Sequence, residues 1–137
     1  MVISVSRKAN FNAAHKLEVK EWSAEQNKAY FGVCNNGNFH GHNYQLTVTL
    51  TGETDPVTGY LVDLKKLSEI IEHEIEERFD HKNLNLDTIE FRDLNPTCEN
   101  IAMVIWRILR NKIDTKLKMK ITLYETERNF VEYNGTE

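Results

Sequence analysis

"HGHNYQLTVTLT", residues 40–51, reads as a β-strand with two chemically different faces. Tyr44, Leu46, Val48 and Leu50 share one face, and Asn43, Gln45, Thr47 and Thr49 the other, the alternation of a half-buried strand. His40 and His42 have the parity of the apolar set, so both imidazoles are expected on the core side. The stretch 2–15, "VISVSRKANFNAAH", repeats the pattern. Ile3, Val5, Ala9, Phe11 and Ala13 oppose Ser4, Ser6, Lys8, Asn10 and Asn12, with Arg7 interrupting the apolar face once. His15 continues that apolar parity. Antiparallel pairing of the two strands brings it beside His40 and His42 at one end of the sheet. Three imidazoles converging on an apolar face each carry ring nitrogens in need of partners. Three neutral histidines with no fourth protein ligand are the donor set of a catalytic zinc. A bare HxH is a weak pattern that reads more readily as two polar loop histidines near a strand start; the shared parity with His15 is what favours a metal site.

The rest of the chain supplies two helices and a second hairpin. Residues 16–39 form a long connection with a short helix expected around Ser23–Tyr30, and connections of this length commonly carry function. After the turn "DPVTG" (55–59), Leu64, Leu67, Ile71 and Ile75 recur at helical spacing with charges opposite. A second helix follows "NPTCEN" (95–100). Asn95 or Thr97 can cap it, Glu99 suits its first turn, and Ile101, Ile105, Ile108 and Leu109 form its apolar stripe. In "KLKMKITLYETERNFVEYNG" (116–135), Leu117, Met119, Ile121 and Leu123 alternate with Lys116, Lys118, Lys120 and Thr122, and the turn "ETERN" (125–129) returns a last strand. The order is ββααββ, an α+β arrangement of antiparallel hairpins. Such a sheet is open, and its unpaired edges are templates for another chain. Closing it into a barrel needs strands from several copies, so a homo-oligomer is expected.

The 137 residues suit one domain, 1–137, with 40% hydrophobic and 28% charged residues. A net charge of −4 leaves no basic surplus for nucleic acid, although a local basic pocket for a small anion remains open. No stretch is long and apolar enough for a membrane span, and no leader-like segment opens the sequence. Two cysteines and no CxxC pair point to a reducing, cytoplasmic setting.

Four further positions carry chemistry. Cys34 opens "CNNGNFHGHNY" (34–44) in polar, glycine-bearing surroundings, and reads as a fourth zinc ligand, a nucleophile or base, or a small apolar filler. Beside a metal or a protonated histidine its thiol would ionise more readily and could abstract protons. Cys98, in the first turn of the second helix, reads as structural. Asp80 and His81 in "FDHKNLN" (79–85) form a carboxylate-oriented histidine suited to proton relay, or a C-terminal histidine favoured by the helix dipole. Glu125 keeps the inward parity of Leu123 and would need N–H donors if buried, unless the strand ends at Tyr124 and Glu125 is a turn residue. His73, within "EHEIEE", belongs to a solvated helix face.

Over nearly its whole length the chain resembles the 6-pyruvoyl-tetrahydropterin synthase / 6-carboxytetrahydropterin synthase family. The resemblance rests on "FNAAH" (11–15), "CNNGNFHGHNY" (34–44), "TGETDPVTGYLVDL" (51–64), "DHKNLN" (80–85), "PTCEN" (96–100) and "YETERN" (124–129). It implies that His15, His40 and His42 bind Zn2+, that Cys34 is the catalytic base, and that Asp80 and His81 relay protons. By the same resemblance Glu125 anchors the pyrimidine edge of a pterin, and Thr97 and Glu99 line its pocket. The implied fold is the tunnelling fold (T-fold), in which ββααββ subunits form a trimeric intersubunit β-barrel, two trimers stack into a hexamer, and active sites lie between subunits. The implied substrate is 7,8-dihydroneopterin triphosphate, converted to 6-pyruvoyl-tetrahydropterin or to 6-carboxy-5,6,7,8-tetrahydropterin with loss of triphosphate. Features within the chain divide between the branches: the five residues between Cys34 and His40 resemble the pyruvoyl type, "NPTCENIA" the carboxy type. Lys16, Lys82 and Arg128 are positional candidates for triphosphate contacts. Two rival readings are a non-catalytic pterin- or zinc-binding oligomer of the same fold, and a three-histidine zinc hydrolase, which leaves Cys34 and Glu125 unexplained.

Overall fold

The computed structural model describes residues 1–136. Its frame is one long hairpin. β1 (Val2–His15) pairs antiparallel with β2 (His40–Glu53) without interruption, from Val2 opposite Glu53 to His15 opposite His40. The helix-free face of this hairpin is tied by side-chain rungs: Ser4 Oγ to Thr51 Oγ1 at 2.6 Å, Ser6 Oγ to Thr49 Oγ1 at 2.9 Å, and Asn12 Nδ2 donating to Asn43 Oδ1 at 2.7 Å. β4 (Lys118–Tyr124) pairs antiparallel with β2, and β5 (Phe130–Tyr133) with β4.

A fifth strand departs from the expected four. β3 (Lys82–Asn83) runs parallel to Ala13 and Ala14 at the outer edge of β1, making the sheet order β3-β1-β2-β4-β5. Two residues have no periodicity to read, and parallel pairing there is set by the chain returning from a helix. The last hairpin also starts later than its alternation, at Lys118, with Leu117 half-buried ahead of it.

The expected connection helix is present as α1 (Ala24–Phe31), closed by a capping box in which Ser23 and Gln26 satisfy each other's backbone N–H groups. A 3₁₀ turn, Gly32–Asn35, follows it. The first long helix starts as α2 (Leu64–Ile71), capped by the Asp63 carboxylate on the N–H groups of Lys65 and Lys66. It continues through a π turn, Glu72–Glu76, into α3 (Glu77–Phe79). Leu67, Ile71, Ile75 and Phe79 recur every fourth residue, which overshoots a regular turn by about 40° each time. The wider π turn absorbs that drift, and all four side chains stay buried. A short turn of helix, α4 (Leu84–Asp87), precedes α5 (Cys98–Arg110), whose cap is Thr97.

Tyr44, Leu46, Val48 and Leu50 of β2, with Ile121 and Leu123 of β4, are fully buried beneath Ile101, Ile105 and Leu109 of α5 and the α2–α3 helix. Two positions read as core are half exposed, Leu64 and Ile3. They lie at the end of the sheet remote from the histidines, around a shallow cleft between β1 and the turn preceding α2. His73 lies on the solvated face as expected, paired with Glu77 one turn on.

Candidate active site

The register of β1 and β2 builds the site. His15 and His40 are cross-strand partners, and His42 stands opposite Ala13, diagonal to His15 on the same face. The ring centroids are 4.5 Å apart for His15–His40, 5.1 Å for His15–His42 and 5.0 Å for His40–His42. One ligating nitrogen of each ring lies within 4.8 Å of the other two. His15 Nε2, His40 Nδ1 and His42 Nε2 are buried without a hydrogen-bond partner among the described residues. Buried ring nitrogens are ordinarily satisfied, so three orphans converging on one point are explained by a shared cation.

The electrostatics agree. Burial, more than the neighbouring His40 and His42, holds His15 down to about 4, against the upward pull of its bond to the Pro96 carbonyl. His40 is lowered by burial first and by His42 second. The imidazoles of His15 and His40 are therefore neutral near pH 7 and offer lone pairs. His15 Nδ1 donates to Pro96 O at 2.7 Å, which fixes the tautomer that frees Nε2. The Tyr44 hydroxyl lies 3.4 Å from the same Nδ1, and burial followed by the Glu125 charge keeps its phenol protonated. A half-enclosed donor set of three imidazole nitrogens fits a zinc ion with an open position. Neither Pro96 nor Tyr44 was picked out as a site residue from the sequence. Tyr44 was legible only as a core residue, and a carbonyl leaves no trace in residue type.

The other candidates fall into two groups. Cys34 is half-buried in the 3₁₀ turn, outside the three-histidine group, with its carbonyl accepting the Leu17 N–H at 2.8 Å. It lies close enough to influence Tyr44. Glu125 sits one residue past β4, its N–H bonded to Asn129 O at 3.0 Å, so it is a turn residue by backbone. Its side chain nonetheless lines a cleft of ≈ 420 Å³ with Leu17, Thr97, Cys98, Glu99 and Phe130. Its charge reaches His40, so the cleft and the histidines are neighbours. Thr97 and Glu99 enter the same cleft from the first turn of α5. Cys98 donates weakly to Leu123 O at 3.6 Å, and burial, then the Glu125 charge, pushes its thiol up to about 12, consistent with a structural role.

Asp80 and His81 stand at the edge of β1. Asp80 Oδ1 accepts the Asn12 N–H at 2.8 Å, the main reason its carboxyl is held low, and Asp80 Oδ2 lies 2.9 Å from His81 Nδ1. His81 has a left-handed backbone, φ 60°, and donates its N–H to Asn12 O at 2.6 Å. Its side chain is 85% exposed. The described contacts of the pair therefore place it on the outside of the hairpin, three residues before His15. The three basic candidates come from separate elements: Lys16 covers the Phe39 ring at 5.2 Å, Lys82 is on β3, and Arg128 is exposed in the 125–129 turn.

The family model for 6-pyruvoyl tetrahydropterin synthase matches residues 4–136. The chain belongs to this family. It is 44% identical over 131 residues to the human protein named 6-pyruvoyl tetrahydrobiopterin synthase, covering 96% of this chain and 90% of that one. The structure of Caenorhabditis elegans 6-pyruvoyl tetrahydropterin synthase superposes with a TM-score of 0.93 at 36% identity, covering 99% of this chain and 97% of that one. The chain is also 33% identical over 119 residues to the Pyrococcus furiosus protein named dihydroneopterin monophosphate aldolase, covering 86% of this chain and 85% of that one. The α+β sheet and its helices are thus the T-fold of the synthase family.

Proposed function

We propose that this chain is a zinc-dependent pterin synthase that converts 7,8-dihydroneopterin triphosphate to 6-pyruvoyl-tetrahydropterin and triphosphate. The observation that carries the reading is the trio of orphaned nitrogens on His15, His40 and His42 beside a cleft that ends at Glu125. The name of the human relative favours the pyruvoyl product, as does the five-residue spacing between Cys34 and His40. "NPTCENIA" and the aldolase relative favour the second reading, cleavage of side-chain carbons to give 6-carboxy-5,6,7,8-tetrahydropterin.

Zinc bound by His15 Nε2, His40 Nδ1 and His42 Nε2 would supply Lewis acidity toward the side-chain hydroxyl oxygens of the substrate, making the adjacent C–H bonds more acidic. Glu125 accepts hydrogen bonds from the N–H edge of the pterin, with Thr97 and Glu99 at the rim. Cys34, as thiolate, takes a proton from the side chain. His81, oriented by Asp80, holds a second proton for return. Successive proton shifts move hydrogen from side-chain carbons into the ring and expel triphosphate, so no external reductant is consumed. Exposure of His81 at the edge of β1 suits a relay completed at a subunit boundary. We further propose that the chain is one domain, assembled in the cytoplasm as trimeric barrels stacked into a hexamer.

Mass spectrometry after incubation with 7,8-dihydroneopterin triphosphate is the test. The expected mass is that of 6-pyruvoyl-tetrahydropterin with equimolar triphosphate. The carboxy product transfers the reading to the second branch, and unchanged substrate with retained pterin binding identifies a non-catalytic binder.

A further inference from the structure

Directly after His15 the chain leaves the sheet, and residues 16–19 run without a strand partner. Their backbone polar groups still need partners. Asparagine side chains supply six of the eight. Asn85 Oδ1 accepts the Lys16 N–H at 2.8 Å and Asn85 Nδ2 donates to Lys16 O at 2.9 Å. Asn35 Nδ2 donates to Leu17 O at 2.8 Å, and Asn95 Oδ1 accepts the Glu18 N–H at 3.2 Å. Asn27 Oδ1 accepts the Val19 N–H at 2.7 Å while its Nδ2 donates to Val19 O at 3.0 Å. The Leu17 N–H goes instead to the carbonyl of Cys34. A carboxamide carries the donor and acceptor of a peptide group in one plane, so it can stand in for a neighbouring strand where none runs. Asn27 is 5% exposed, too buried to be a chance surface contact.

Asn27 lies in α1, Asn35 in the 3₁₀ turn, Asn85 in α4 and Asn95 in the loop before α5, and three of them adjoin site candidates. Asn35 follows Cys34, Asn85 lies four residues after His81, and Asn95 stands two before Thr97. We propose that Asn27, Asn35, Asn85 and Asn95 form a cradle that uses the 16–19 backbone as a common ruler, fixing Cys34, the Asp80–His81 pair and the Thr97–Glu99 rim relative to His15. They are positioning residues. The assignment rests on the proposed roles of those candidates. Asn35 is the sharpest case, because Cys34 and Asn35 together grip both polar groups of Leu17.

Asn35→Ala removes that donor, and Asn85→Asp keeps the acceptor for Lys16 N–H while replacing the donor to Lys16 O with a repelling oxygen. Asn27→Ala is avoided because its burial invites unfolding. Ile105→Val, a core change on α5 that touches none of the cradle's hydrogen bonds, controls for general loss of stability. In the zinc-loaded oligomer both asparagine variants should keep about one zinc per chain and a KM within about threefold of wild type, while kcat falls at least about tenfold, as misplacement of reacting groups predicts. Hydrogen–deuterium exchange of a peptide spanning 16–22 should accelerate about tenfold or more. Ile105→Val should leave kcat within about twofold. Exchange no faster than in Ile105→Val overturns the cradle. So does accelerated exchange with an unchanged kcat, which would mean that the segment positions nothing. Should the wild-type chain release no triphosphate, the proposed function falls by itself. Exchange at 16–22 and the alkylation rate of Cys34 then decide the cradle, and unchanged rates in Asn35→Ala overturn it.

Discussion

A proton-abstracting thiol and a metal ligand make opposite demands on Cys34. As a base it must hold a proton part of the time; as a ligand it never does. The three histidines form a complete donor set without it, so Cys34→Ala is expected to retain zinc and pterin binding while turnover falls about 10²–10⁴-fold, the usual worth of a positioned acid–base group. His40→Ala should lose the zinc, because two imidazoles hold it poorly against buffer. Glu125→Ala should weaken pterin binding first, by stranding the ring N–H donors. Metal analysis, pterin titration and triphosphate release read the three variants; loss of zinc from a folded Cys34→Ala would make the cysteine a fourth ligand. Cys98 gives a second prediction at this scale. With its thiol raised from 9.0 to about 12 by burial, it stays protonated at pH 8, and its thiolate is about a thousandfold rarer than for an unperturbed thiol. Iodoacetamide at pH 8 should therefore label Cys34 and leave Cys98 intact until the chain unfolds, as peptide mapping will read. The sign also sets a pH dependence. The unfolded thiol ionises above pH 9 while the folded one does not, so this residue makes the fold less stable as pH rises from 9 toward 12.

Strands and long helices were legible because their burial is periodic, and the irregular pieces were not. The alternation in 2–15 and 40–51 located β1 and β2, and parity alone put His15, His40 and His42 on one face. β3 was invisible, since two residues have no period, and so was the π turn, a response to four-residue spacing that reads from sequence as an ordinary helix. The placement of Asp80 and His81 beside Asn12, 68 residues away in sequence from Asp80, depends on where a helix deposits the chain and could not be read locally. Thr97 shows the reverse: the capping choice left between it and Asn95 resolves to Thr97, whose hydroxyl accepts the Asn100 N–H at 3.2 Å, freeing the Asn95 amide for the Glu18 backbone. Thr97→Ala should therefore cost about 1 kcal/mol, seen in a thermal melt as a fall of about 4 °C. Thr97→Ser should restore the melt.

Among the described residues the sheet ends in two short strands, β3 and β5, and most of the outer edge of β1 has no strand beside it. Val2, Val57, Tyr60 and Phe130 are exposed apolar side chains on the same molecule. Exposed edges and apolar side chains of this kind are expected to be covered by further copies, so light scattering at micromolar concentration should return a multiple of three chains, with six expected. A monomer at that concentration would remove the barrel and the shared active site together. The uninterrupted register from Val2–Glu53 to His15–His40 has a consequence of another kind, for fidelity. A slip of one residue would turn His40 and His42 to the opposite face from His15 and dissolve the donor set. Under the proposed zinc reading, metal uptake would act as a proofreader of the hairpin: misaligned copies would be silent rather than partly active, and zinc added during refolding would reward only the aligned ones.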